Sequence, residues 1–413
     1  MKRLAWHEWR IGSRWTEDDS LKVFAYMATP GGLTGAPRRL LTLASVLREE
    51  GIEMCIATPS DSELFRAAKD MGLPTVELDP VGVLGTRHGA LFAGGVVFRL
   101  KALACLLVQN IRVAKSIRSQ GADVVWIRES KGIAFGGLGA WLSRRPLVWD
   151  VDYELPSRGL VRWLHRLGLW AAVDVVFQYS AAPDAIFGAE LAARYRHKFH
   201  AMVPGIDLAA VEVFRARRLA KEQREGEPFV ILQAGSICDR KNQRLLIDAL
   251  VQLRRVRLND AIRVMFAGGA FDEEYADSLK RKVGAEGLDS EIEFLGWRAD
   301  IHELMMDADL LVMPSRDEGV PNTVQEAMAI GVPVLVSGVG GNPEVVTDGD
   351  TGWLLDEDRP GDWAERIRWC LENRKELDEV GQRASAYARV HFGTQHWGSE
   401  YGRLIARAVG RLK

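Results

Sequence analysis

The sequence predicts an α/β protein made of two consecutive series of alternating strands and helices. Short apolar runs with strand character recur from Leu21 to Tyr179 and again from Phe229 to Ser337, with amphipathic stretches of helical spacing between them. Glycine-rich or polar loops stand where strands end and helices begin. The 413 residues, 47% hydrophobic and 27% charged, are enough for two domains with large cores.

In order, Met1 to Ser20 reads as a Trp- and Arg-rich surface arm packed on the body, with an amphipathic stretch against a membrane as the alternative. Leu21 to Thr29 is the first strand. Pro30 to Pro37 is a glycine-rich loop, Arg38 to Glu50 a helix and Met54 to Thr58 the second strand. The loop lacks the GxGxxG spacing of a dinucleotide fingerprint, but Gly31 and Gly32 permit close approach of a ligand to the backbone. Phe98 to Ser119 reads as a long core helix with a solvated basic face, which also suits anionic lipid. Strands follow at Asp123 to Ile127, Leu147 to Val151 and Val173 to Tyr179. Asp150, Asp152 and Glu154 gather at one strand end, a usual place for catalytic groups.

The second series starts at Phe229. A strand leads into the loop Gly235 to Asn242 and then a helix from Gln243. Its centre is Asp309 to Glu344: a buried strand, a Pro-Ser-Arg-Asp-Glu-Gly loop, a helix from Thr323 to Ile330 closed by Gly331, and another strand. A helix N-terminus at a strand end favours an anion, and Glu318 and Glu326 flank that point. Alone, Glu326 reads as the partner of Thr323 in a capping box. The two series imply two Rossmann-like domains facing one another. The expected divisions are an arm (1–20), a first domain (21–207), a second domain (208–390) and a C-terminal helix (391–413).

The net charge of −2 offers no field for nucleic acid. Cys55, Cys105, Cys238 and Cys370 lack metal or redox spacing and read as buried thiols of a reducing compartment. No signal-peptide core opens the chain, and Arg99, Lys101 and Arg112 interrupt its longest apolar stretch. A cytoplasmic protein, at most peripheral to the inner face of a membrane, is expected.

Several segments together carry a family resemblance: Pro30 to Gly35, Val203 to Asp207, Gly235 to Asn242, Phe294 to Ile301, the Glu318–Glu326 pair and Gly340 to Gly352. The chain resembles the retaining nucleotide-sugar glycosyltransferases of family 4, which have the GT-B fold. The similarity is most specific from 229 to 355 and weakest from 80 to 200. The resemblance implies two facing Rossmann-like domains, acceptor-binding then donor-binding, and a C-terminal helix that crosses back to the first. It implies that Lys241 binds the donor diphosphate, Glu318 the sugar hydroxyls and Glu326 the ribose. Gly235 and Ser236 would line the donor loop, and Gly319, Val320, Asn322 and Thr323 would offer N–H groups that Pro321 lacks. Gly31 and Gly32 would approach from the first domain.

Two positions depart from the pattern. Ser236 stands where the family often has Arg, so Arg240 is read as the second cation on the leaving diphosphate. The family often has a His at a first-domain strand end, and Asp152 is read as its substitute. The expected reaction is transfer, with retention, from a UDP-, GDP- or ADP-sugar to a glycan, lipid-linked or small-molecule acceptor, without metal or cofactor. A GT-B epimerase and a non-catalytic GT-B-like subunit are the alternatives.

Overall fold

The computed structural model describes residues 20–28, 32–33, 35–85, 95–151, 159–220, 227–254 and 261–410. The chain divides into two compact units, Met1–Met202 with Trp397–Lys413, and Val203–His396. Both are α/β, as the alternation of apolar runs and amphipathic stretches predicts.

The first unit contains a parallel sheet of β1 (Leu21–Tyr26), β2 (Ile52–Thr58), β3 (Thr75–Glu77), β4 (Val124–Arg128), β5 (Leu147–Asp150), β6 (Asp174–Phe177) and β7 (Phe199–Ala201). Their spatial order is β3-β2-β1-β4-β5-β6-β7. The central strands are apolar nearly throughout because helices cover both faces. One face carries α1 (Gly35–Glu49) and α2 (Glu63–Asp70); the other carries α3 (Val96–Ser119), α4 (Leu138–Ser143) and α5 (Gly159–Ala171). Alternate residues divide between the faces: Val23 and Ala25 point to the first core, Phe24 and Tyr26 to the second. On α3, Asn110 ties its neighbours: its amide donates to Ala134 O at 3.0 Å and accepts from Gly139 N at 2.9 Å. A Cβ on Gly139 would lie 2.6 Å from Asn110 O, so α3 and α4 approach this closely only with glycine there.

The second unit repeats the plan with β8 (Phe229–Ala234), β9 (Ile262–Ala267), β10 (Ile292–Gly296), β11 (Leu310–Met313), β12 (Val334–Ser337) and β13 (Trp353–Leu355), ordered β10-β9-β8-β11-β12-β13 and all parallel. Its helices include α6 (Leu208–Ala220), α7 (Gln243–Arg254), α8 (Ile301–Asp307) and α9 (Asn322–Ile330). The last long helix, α10 (Thr394–Gly410), buries Trp397, Tyr401, Leu404 and Ile405 in the α1 face of the first unit.

Some expectations shift. The helix after the glycine loop begins at Gly35, inside the predicted loop. A helical run from Glu129 to Ser143, with a π-helical turn at Ile133–Gly137, and strand β13 were not evident from periodicity. Cys55 and Cys370 are buried, but Cys105 and Cys238 are only half-buried. Among the described residues, no helix is long and apolar enough to cross a membrane.

Candidate functional site

In the second unit the strand order reverses between β8 and β11, which pair directly. Chains leaving two such strands part to opposite sides, and the crevice beyond their C-terminal ends is where open α/β sheets take ligands. The loop Gly235–Asn242 leaves β8, and the loop carrying Glu318 leaves β11. The tertiary structure therefore places two segments about eighty residues apart side by side.

Three predicted residues meet there. The Lys241 ammonium pairs with one oxygen of the Glu318 carboxylate. The Arg240 guanidinium lies 3.4 Å from the other oxygen and donates to Asp317 O at 3.0 Å. Glu318 is buried, with 6% of its side chain exposed, whereas Arg240 is 48% exposed. A carboxylate so desolvated needs its counter-charges. The loop around them is tied down. Gln233 donates to Lys241 O at 2.8 Å, Gln243 to Ser236 O at 3.0 Å, and Arg316 N to Arg240 O at 2.8 Å. Asn242 adopts φ +51, a conformation Asn tolerates, and so ends the short 3₁₀ turn Asp239–Lys241 and starts α7. Gly235 and Ser236 lie on this loop. Gly319 and Val320 follow Glu318, and Asn322 and Thr323 form the first turn of α9.

Glycines outside the predicted set make this approach possible. A Cβ on Gly340 would lie 1.8 Å from Glu318 O, and one on Gly341 2.6 Å from Gly319 O, whose carbonyl accepts Gly341 N at 2.9 Å. Under the other loop, a Cβ on Gly268 would lie 1.9 Å from Gly235 O. The Gly-Gly pairs after β9 and β12 thus let both loops sit against neighbouring backbone. Their signal was legible as strand-end glycines; the contact they serve was not.

Glu326 has a different partner. Helix α9 starts at Asn322 with Pro321 in the N-cap position and no side-chain cap, so Thr323 lies inside the helix and the expected capping box does not form. The Glu326 carboxylate lies 3.2 Å from Nε2 of His302 on α8. This hydrogen bond pushes the His302 pKa up from 6.5, against a smaller opposing effect of burial. Phe271 and Trp297, beyond β9 and β10, are 85% and 77% exposed. Two large rings left in solvent at the ends of adjacent strands are candidates for stacking on a planar ligand, and sequence reasoning did not select them as site residues.

In the first unit the corresponding reversal falls between β1 and β4. Of the residues expected there, Gly31 and Asp152 lie outside the described residues. Gly32 is exposed, and the next amide, Leu33 N, donates to Glu63 of α2 at 2.6 Å. Glu129 directly follows β4 with φ +64, an uncommon backbone state for a side-chain-bearing residue. Its position and strain make it a candidate that patterning could not find. Asp150 proves structural. It is buried, 3.8 Å from Arg128 and accepts from the Tyr401 hydroxyl at 2.9 Å, joining β4, β5 and α10. The Tyr26 hydroxyl, buried beside Gln109 at 3.1 Å, has its pKa raised by desolvation. Among the described residues, no group of three or more His, Cys, Asp or Glu could hold a metal ion.

Three kinds of likeness agree with this architecture. Solved structures similar over most of the chain include Anabaena Alr3699/HepE in complex with UDP, at 20% identity and TM-score 0.74, covering 94% of this chain and all of that one. A glycosyltransferase from Rickettsia africae is similar at 14% identity and TM-score 0.75, covering 95% of this chain and 99% of that one. At such identity these show the fold alone: two Rossmann-like units of the GT-B class. Curated relatives include D-inositol 3-phosphate glycosyltransferases from Corynebacterium efficiens, 29% identical over 223 residues, and from an Arthrobacter species, 31% identical over 220 residues. These alignments cover 52% and 50% of this chain, and the chain spans about half the length of the curated relatives it matches. Residues 215–387, which lie within the second unit and include Arg240, Lys241, Glu318 and Glu326, match the family model of the glycosyl transferases group 1.

Proposed function

We propose that the protein is a glycosyltransferase that moves a sugar from a nucleoside-diphosphate donor to an acceptor hydroxyl with retention, as family 4 enzymes do. The observation that carries this reading is the Arg240–Lys241–Glu318 cluster at the strand-order reversal of the second unit. It presents two cations and a buried carboxylate, the complement of a diphosphate joined to a polyhydroxylated ring. The group 1 match over the same residues supports it.

In this reading the diphosphate competes for Lys241 and Arg240, and Glu318 then accepts hydrogen bonds from sugar hydroxyls. The helix start at Asn322 and Thr323, with Gly319 and Val320, adds backbone donors. Gly235 and Ser236 leave room beside the phosphates, Glu326 takes the ribose hydroxyls, and Phe271 or Trp297 stacks on the base. The anomeric C–O bond breaks and its electron pair passes to the diphosphate, where Lys241 and Arg240 stabilise the developing charge. The acceptor oxygen bonds to the anomeric carbon from the face the diphosphate leaves. The acceptor proton passes to a diphosphate oxygen, so the reaction balances without a side-chain base. In this proposal Asp152 takes the role of the donor-sugar contact, Gly31 and Gly32 approach the donor phosphate or the acceptor, and Glu129 is a further candidate for the acceptor.

The donor nucleotide is UDP, GDP or ADP, and UDP leads because similar folds hold it. The acceptor is a glycan, a lipid-linked sugar or a small polyol phosphate, the last because the curated relatives are named for one. Thermal-shift screening of UDP-, GDP- and ADP-sugars, followed by transfer of radiolabelled sugar to these acceptors, tests the reading. Lys241→Ala should lower turnover about 10²–10³-fold. Unchanged turnover in that variant would remove Lys241 from the chemistry. A donor whose sugar is inverted at a ring carbon without transfer would point to an epimerase.

A further inference from the structure

The outer surface of the first unit carries a feature independent of the donor site. Helix α3 buries Ala102, Gln109, Val113 and Ile117 against the sheet, yet its opposite side is also apolar. Leu100, Leu103, Leu107 and Ile111 recur at helical spacing, and the first two are 62% and 54% exposed. Val96, Val97 and Val108 widen this stripe, with Val97 81% exposed. The expectation of a solvated basic face is thus half right: Arg99, Lys101 and Arg112 border the stripe, and Lys115 and Arg118 end it.

The same helical layer exposes large aromatics. Trp141 of α4 and Trp163 and Trp170 of α5 are 57%, 60% and 61% exposed. Trp163 and Trp170 lie seven residues apart, on one side of α5, beside exposed Arg162 and Arg166. Helices α3, α4 and α5 pack on one face of the sheet through Val113, Ile117, Ala140 and Leu169, so all three belong to one outer layer. Together they contain seven Arg and Lys and no Asp or Glu, in a chain of net charge −2. Exposed aliphatic area this large on one helix is rare unless something covers it.

We propose that this α3–α4–α5 layer docks on an anionic lipid bilayer, α3 lying in the plane of the interface with its apolar stripe among the acyl chains. Charge complementarity selects the occupant: three helices that carry cations and no acids meet phosphate headgroups, and Trp favours the interfacial depth. A spanning role is excluded for α3 by its five cations.

Co-sedimentation of the full chain with phosphatidylcholine vesicles, and with vesicles about one-third phosphatidylglycerol, tests this. The protein should pellet with the anionic vesicles only, and less so as salt rises. Leu103→Glu with Leu107→Glu should weaken binding at least about tenfold and leave the melting temperature unchanged, since both side chains are exposed. Trp163→Ala with Trp170→Ala, on a separate helix, should weaken it too. The proposal fails if wild type stays in the supernatant with both vesicle types, or if neither double variant weakens binding. It fails equally if the lipid-free protein is a dimer that Leu103→Glu renders monomeric without vesicle binding. Binding seen only after removal of residues 1–19 would assign the stripe to that arm instead.

Discussion

His302 and Glu326 illustrate how a residue's neighbour sets its chemistry. The imidazole gains a carboxylate partner on folding, so its pKa rises above 6.5. A raised pKa means that the pair's stabilisation is fully present below the unfolded value. It is lost as pH climbs through the folded value. Replacing His302 by Gln should therefore cost more stability near pH 5.5 than near pH 9. The cost stays below about 1 kcal/mol because both side chains are partly solvated. Urea titrations at the two pH values check this, and an equal loss at both would show that the pair is not charged. Burial raises the pKa of Cys55 and Cys370 as well, but here it favours the neutral form, pushing both thiols up to about 12 and keeping them protonated at neutral pH. Nothing in the residue string distinguishes these cysteines from half-buried Cys105 and Cys238.

At the scale of elements, the loops that leave β8 and β11 owe their positions to glycine more than to their own charged residues. Gly340 has φ +56, and any Cβ there would meet the Glu318 carbonyl. Gly340→Ala should therefore lower stability by at least about 2 kcal/mol, through backbone strain and the clash together. It should also lower donor affinity more than a distant substitution of equal cost. Denaturant midpoints with nucleotide titration measure both, and unchanged values would show that the loop relaxes freely. By contrast, Gly349→Ala, at φ +77 with open space around its Cβ position, carries the strain without the clash and should cost less. The strands other than β13 were legible to within two or three residues because central parallel strands are continuously apolar. The start of α9 was legible to within one residue, Asn322 against the expected Thr323, whereas α1 begins at Gly35, inside the expected glycine loop.

At the scale of the molecule, the chain passes between its units twice, after Met202 and after His396. The second unit is one continuous segment, while the first is completed by α10. Trp397, Tyr401, Leu404 and Ile405 fill the core that α1 alone leaves open, and Tyr401 also satisfies buried Asp150. A fragment of residues 203–396 should unfold cooperatively, whereas residues 1–396 should retain one transition, that of the second unit. Calorimetry of the two fragments decides. A native-like first transition in 1–396 would show that α10 is dispensable.

The sequence by itself determined the α/β class, the two series and the residue types of the candidate site. Periodicity, strand-end glycines and the order Lys241, Glu318, Glu326 are properties of the chain read locally. Only the tertiary structure decided that Glu318 faces Lys241 and Arg240, that Glu326 faces His302, and that Asp150 is a buried anchor for α10. Those pairings depend on strand order, and β11 lies beside β8 through a reversal that no local pattern encodes. The same holds for α3. Its apolar residues were legible, but which of them face the core and which face outward is fixed by Asn110 and Gly139 at the contact with its neighbours.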